Sequence, residues 1–210
     1  PVGPLPEMRR PAVTGLQFWA VVRTLLENCR DVKEALSMLK DMPVAYNLNL
    51  IVLDREGRCA LVETLDGRMA VKTIDSDSGE QALYATNHPV LEELIPYEPK
   101  AFVHSIRRYD NITAFLERHK KGITAGQLKD FFLTPYPEGL SCSYYSQFFG
   151  TTKTMVLDPV RGSLSLCWGG RPENGWHDFN FSDPFPQETA AIEIHNQTAD
   201  PSIFAYRSLV

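Results

Sequence analysis

Three apolar stretches between Tyr46 and Ile74 are divided by two tight-turn signals, and this pattern limits the fold more than any other feature of the chain. Residues 46–53 read Y-N-L-N-L-I-V-L, alternating at first and continuously apolar afterwards. Asp54-Arg55-Glu56-Gly57 follows as a turn, with Gly57 free to take positive φ. Asp66-Gly67 is a second hairpin signal. Strands over 58–63 and 68–74, then a short one over 82–86 after a polar loop, complete an antiparallel meander. No strand–Gly-rich-loop–helix unit appears, which disfavours a doubly wound nucleotide fold.

Helical periodicity flanks the meander. Over residues 16–28 the spacing of Trp19, Val22, Leu26 and Cys29 predicts one apolar stripe. Asp31 opens a second helix, with Glu34 three residues on as a capping box requires. Ala35, Leu36 and Leu39 form its buried face, and Met42-Pro43 ends it. A longer helix is expected over 105–120, with Tyr109, Ile112, Phe115 and Leu116 on one face. Thr124 and Gln127 make another capping-box pair, opening a short helix through Phe132. A loop over 134–146 leads to strands at 152–157 and 163–168 around an Asp158-to-Gly162 turn. Beyond Gly169 periodic signals are few, and Phe179, Phe181, Phe185 and Phe204 are the expected anchors. The class is α+β, with helices packed on antiparallel sheet, and a single domain is expected over 1–210.

Composition narrows the function classes. The net charge is −5, from 21 Lys+Arg against 26 Asp+Glu, which argues against a general nucleic-acid surface. Apolar runs are too short for a membrane span. Cys29, Cys59, Cys142 and Cys167 form no C-x-x-C pair, and the five histidines show no H-E-x-x-H spacing. No metal is therefore expected. No signal peptide is visible, so the cytoplasm is the expected compartment.

Several residues are candidates for chemistry. Asn87, in A-T-N-H-P at the end of a strand, offers an amide that can stabilise a developing oxyanion, and His88 beside it can act as acid or base. The bland alternative is a pair satisfying turn backbone. Cys167 and Cys59 sit in apolar strands and Cys29 on a helix, which favours core packing. Cys142 lies in a polar loop and is the more exposable thiol; paired with His88 or His104 it makes a cysteine-enzyme alternative. Arg107-Arg108 places cations near a helix start, where an anionic partner is needed or a solvated face suffices.

Taken in order, several segments resemble the N-terminal-nucleophile (Ntn) amide hydrolases of the choloylglycine hydrolase, penicillin V acylase and acyl-CoA:isopenicillin N acyltransferase group. These are R-T-L-L-E-N-C-R-D-V-K-E-A-L in the helix pair, N-L-I-V-L-D-R-E-G-R-C-A-L-V-E over 49–63 and A-T-N-H-P over 85–89. S-I-R-R-Y over 105–109, G-T-T-K-T-M-V-L-D-P over 150–159 and L-C-W-G-G-R-P over 166–172 complete the set. The resemblance implies an αββα sandwich and an acyl transfer in which an N-terminal cysteine attacks an amide carbonyl, its own α-amine serving as base. It carries the oxyanion-stabilising asparagine onto Asn87 and the site arginine onto Arg108, with Arg107 as fallback. Asn49 falls at the family's asparagine that begins the first meander strand.

The resemblance further implies cofactor-free chemistry on a small-molecule linear amide or acyl substrate, contacted by Asn49 and with its apolar part held by Tyr144, Tyr145, Phe148 or Trp168. The family's nucleophile precedes its first helix pair, and none of the four cysteines matches it. The expectation is therefore the C-terminal two thirds of an Ntn-hydrolase-like domain, with the nucleophile on an N-terminal companion chain. A homo-oligomer is compatible with this reading. The alternative is a non-catalytic relative that acts as a small-molecule or protein binding module.

Overall fold

The computed structural model describes residues 13–184 and 191–210. They fall into two compact units. One holds the described residues up to Ala101 together with Tyr206–Val210, and the other the described residues of Phe102–Ala205.

In the first unit, α1 (Phe18–Asn28) and α2 (Val32–Asp41) precede a three-stranded antiparallel sheet of β1 (Leu48–Leu53), β2 (Cys59–Leu65) and β3 (Arg68–Ile74), in that order. Strand alternation sends Leu48, Leu50, Val52, Ala60 and Val62 to one face, where they pack with Val21 and Leu25 of α1 and Val32, Ala35 and Leu39 of α2. The buried stripe of α1 is thus Val21–Leu25, and the expected stripe is corrected. Trp19 and Leu26 are 61% and 79% exposed. Two apolar stripes share this helix, and periodicity cannot say which one meets the sheet.

Asp31 caps α2 by accepting the Glu34 N–H at 2.8 Å. The Glu34 carboxylate reaches back to the N–H of Arg30, one residue before the cap. Asp54 is buried, and its carboxylate accepts from the backbone N–H groups of Val32, Glu56 and Arg58 and from Arg58 Nε at 2.7 Å. Burial alone raises its pKa, but the Arg58 guanidinium and the three N–H groups overcome that, and the net direction is downward. One carboxylate therefore closes the β1–β2 turn and ties it to the start of α2.

Residues 82–86 form no strand, against the sequence expectation. Strand β4 (Lys100–Phe102) pairs with the last strand, β10 (Tyr206–Ser208).

The second unit opens with α3 (Val103–Arg118) and α4 (Ala125–Leu133). Thr124 and Gln127 make the full reciprocal capping box at α4. Phe115 and Phe131 stack at 4.1 Å between the two helices. A hairpin of β5 (Ser143–Tyr144) and β6 (Phe149–Gly150) follows. Then come β7 (Lys153–Asp158), β8 (Ser163–Trp168) and β9 (His177–Asn180), an antiparallel sheet in that order. The β7–β8 hairpin matches expectation; β9 does not, because H-D-F-N carries no alternation readable without its partner β8. Phe204 packs against Phe149, as an anchor should. Phe181 is 59% exposed, and Phe185 lies outside the described residues.

Candidate functional site

Asn49 is the second residue of β1 and lies opposite Glu63 of β2 in the antiparallel register. Both point away from the face that packs on the helices. Asn49 Nδ2 donates to two carbonyls, Thr86 O at 3.0 Å and His88 O at 2.8 Å. These are the residues on either side of Asn87. Glu63, 1% exposed, accepts the N–H of Val90 at 2.8 Å and of Leu91 at 3.0 Å. Burial raises the Glu63 pKa, and those two N–H groups oppose the shift. Thr86 Oγ1 and His88 Nδ1 lie 3.1 Å apart, so His88, buried, is engaged with its neighbour. Asn87 is exposed. The backbone on both sides of Asn87 is thus held by one side chain, Asn49.

In the other unit, His104 and Arg108 lie one turn apart on α3. Arg108 Nε donates to His104 Nδ1 at 3.1 Å, which leaves the ring proton on Nε2. Nε2 faces Cys142 Sγ at 2.9 Å. The His104 ring is enclosed by Tyr136 and Phe149, each 4.6 Å away between centroids. Burial, reinforced by the Arg108 charge, pushes the imidazole down to about 3. Burial pushes the Cys142 thiol up to about 11, although Arg108 opposes this. Arg108 itself is lowered from its ordinary value by desolvation.

This geometry corrects the view of Cys142 as the more exposable thiol. It is buried, because the surrounding loop folds inward. Its N–H donates to Thr151 Oγ1, its carbonyl accepts from Thr151 N, and Ser141 Oγ donates to Gly170 O at 2.7 Å. His104 is not placed to act as base for Cys142, since its imidazole lone pair is directed at Arg108 rather than at sulfur. Reaction of the native protein with a thiol reagent at pH 8 is expected to modify Cys29, which is half-buried, and to spare Cys142, Cys59 and Cys167 until unfolding. Peptide mapping after alkylation checks this, and early labelling of Cys142 would contradict it.

The aromatic residues suggested for substrate contact sit differently from one another. Tyr144 is buried with Cys142, Ala199 and Ile203. The Tyr145 hydroxyl lies 2.6 Å from Thr151 O and 2.9 Å from Gly169 O, and its ring fills the space beside Gly150, where a Cβ would come within 2.3 Å of it. Phe148 is 74% exposed at a left-handed φ of 56°. Trp168 ends β8 and is 36% exposed. Phe148 and Trp168 are thus the exposed pair, whereas the two tyrosines hold the loop. Sequence reasoning passed over Glu63, whose signal was a lone carboxylate in the apolar strand C-A-L-V-E-T-L.

A family model described as acyl-coenzyme A:6-aminopenicillanic acid acyl-transferase matches residues 5–173. The chain belongs to that family. Asn49, Asn87, Arg108 and Trp168 all fall inside the matched region. No curated protein and no solved structure matched the chain. Membership associates the chain with acyl transfer and amide-bond hydrolysis, and with a small-molecule amide or acyl substrate. Among the described residues no three His, Cys, Asp or Glu side chains are grouped to hold a metal ion. No helix among them is long and apolar enough to cross a membrane.

Proposed function

We propose that this chain is the C-terminal part of an Ntn-type linear amide hydrolase or acyltransferase. The observation that carries the reading is the exposed Asn87 on backbone held at Thr86 and His88, within a chain matched by the acyl-transferase family over 5–173. On this reading the fold is the αββα sandwich of the Ntn hydrolases. The nucleophile is an N-terminal cysteine on a segment outside this sequence. Its thiolate attacks the amide carbonyl, its α-amine takes the thiol proton and later protonates the leaving amine, and Asn87 Nδ2 donates to the tetrahedral oxygen. Arg108, the family's site arginine on this reading, is fixed against His104 within its own unit. Phe148 and Trp168 are the residues best exposed to receive an apolar acyl group.

Intact mass spectrometry of the natural protein, with N-terminal sequencing of every chain present, tests the proposal. A companion segment that begins with Cys is the expected result. A natural protein with no such segment would overturn self-contained amidase chemistry and leave a binding module as the better reading.

A further inference from the structure

We propose that Asn49 and Glu63 act together as one positioning device for Asn87. The inference rests on the oxyanion reading of Asn87 and adds two residues that do not touch the reacting atoms. Their pairing follows from register: Asn49 and Glu63 are direct cross-strand partners, so their side chains leave the same face of the sheet side by side.

Their chemistry is complementary to the run of backbone they meet. Asn49 presents an NH2 group with two donors, and it meets the carbonyls of residues 86 and 88. Glu63 presents two carboxylate oxygens, and each takes one N–H, from residues 90 and 91. Four hydrogen bonds from two side chains therefore span residues 86–91. They hold the backbone on both sides of Asn87, which is itself exposed. A carboxylate that is 1% exposed is a costly anchor unless hydrogen bonds satisfy it, and both of its oxygens are satisfied here. The Leu91–Leu94 turn that follows packs on Leu65 and Ala70, so the far end of the loop is also seated on the sheet.

A positioning role differs from a general structural one in where its loss is felt. Amide hydrogen exchange by NMR on the 210-residue chain reads this directly. Asn49→Ala and Glu63→Gln are each expected to speed exchange at residues 90 and 91 by at least about tenfold, while amides of the β2–β3 ladder keep their protection. Should Glu63→Gln fail to fold, Asn49→Ser, with a single short donor, carries the same expectation. Unchanged exchange at residues 90 and 91, or equal loss throughout the β1–β3 sheet, would overturn the proposal.

Turnover of the nucleophile-bearing natural protein gives the second arm. Asn49→Ala is expected to lower kcat with KM nearly unchanged, and to add little further loss in an Asn87→Ala background. Fully additive losses would overturn the coupling. If Asn87→Ala alone leaves turnover intact, the oxyanion reading fails, while the exchange data still decide whether the pair holds the loop.

Discussion

Acidification below pH 6.5 is expected to destabilise this protein steeply through one residue, His104. The imidazole titrates near 6.5 in the unfolded chain and is pushed down to about 3 in the fold, first by burial and then by the Arg108 charge. Between those values the unfolded state binds a proton that the native state refuses, so stability falls as pH falls. The loss amounts to about 2 kcal/mol by pH 5 and has an upper bound of roughly 5 kcal/mol near pH 3. A domain of this size has about 5–15 kcal/mol in total, so the effect alone can bring it to the edge of unfolding. The groups that face the ring are Arg108 on one nitrogen, Cys142 on the other and Tyr136 across its face, and none offers a carboxylate to stabilise an imidazolium. Urea unfolding from pH 7 to pH 4 of the parent and of His104→Gln checks this. Carboxylate protonation is common to both proteins, so the difference between their stabilities should shrink by about 1.4 kcal/mol for each pH step below 6. A difference that does not change with pH would contradict the prediction.

Loss of the Asn87 side chain is expected to produce the largest functional effect. If Asn87 Nδ2 is the donor to the tetrahedral oxygen, Asn87→Ala should lower kcat of the nucleophile-bearing protein by about 10²–10³-fold, the usual cost of one oxyanion donor. KM should move little, because the donor acts mainly on charge that develops in the transition state. The exposed position of Asn87 makes the fold a poor explanation for such a loss, since truncating a surface amide usually costs under about 0.5 kcal/mol of stability. An Asn87→Ala protein with parental kcat would sink the assignment. Arg108→Lys is a less discriminating test, because Arg108 also supports the buried His104 ring.

Some of this architecture was legible because local rules decide it. Arg68–Ile74 and Ser163–Trp168 form the expected strands, bracketed by turns in which Gly67 and Gly162 take positive φ. The Thr124–Gln127 box also closes as its spacing predicts. Each of these depends on residues within a few positions of one another. The failures involve partners distant in sequence. Strand β9 needs β8 to have a register, and the buried stripe of α1 depends on the face that meets a sheet formed later in the chain.

The candidate site divides in the same way. Asn87, Arg108, Asn49 and Trp168 were legible as members of ordered motifs within the family match, their roles being the proposal above. Their surroundings were not. Nothing near Cys142 in sequence shows that His104, 38 positions earlier, lies 2.9 Å from its sulfur and that the loop closes over both. Nor does the composition of C-A-L-V-E-T-L say that its one carboxylate grips the loop beyond Asn87.

By itself, then, the sequence determined the α+β class, the longer helices and hairpin strands, the Asp31 and Thr124 caps and the family motifs, because propensity, capping and turn geometry act over a handful of neighbours. Only the tertiary structure decided which stripe of α1 is buried, that Cys142 is a closed thiol rather than an open one, and that Asn49 and Glu63 serve the loop that carries Asn87. Those outcomes depend on which distant groups desolvate one another and which backbone atoms are left needing a partner, and no local pattern encodes either.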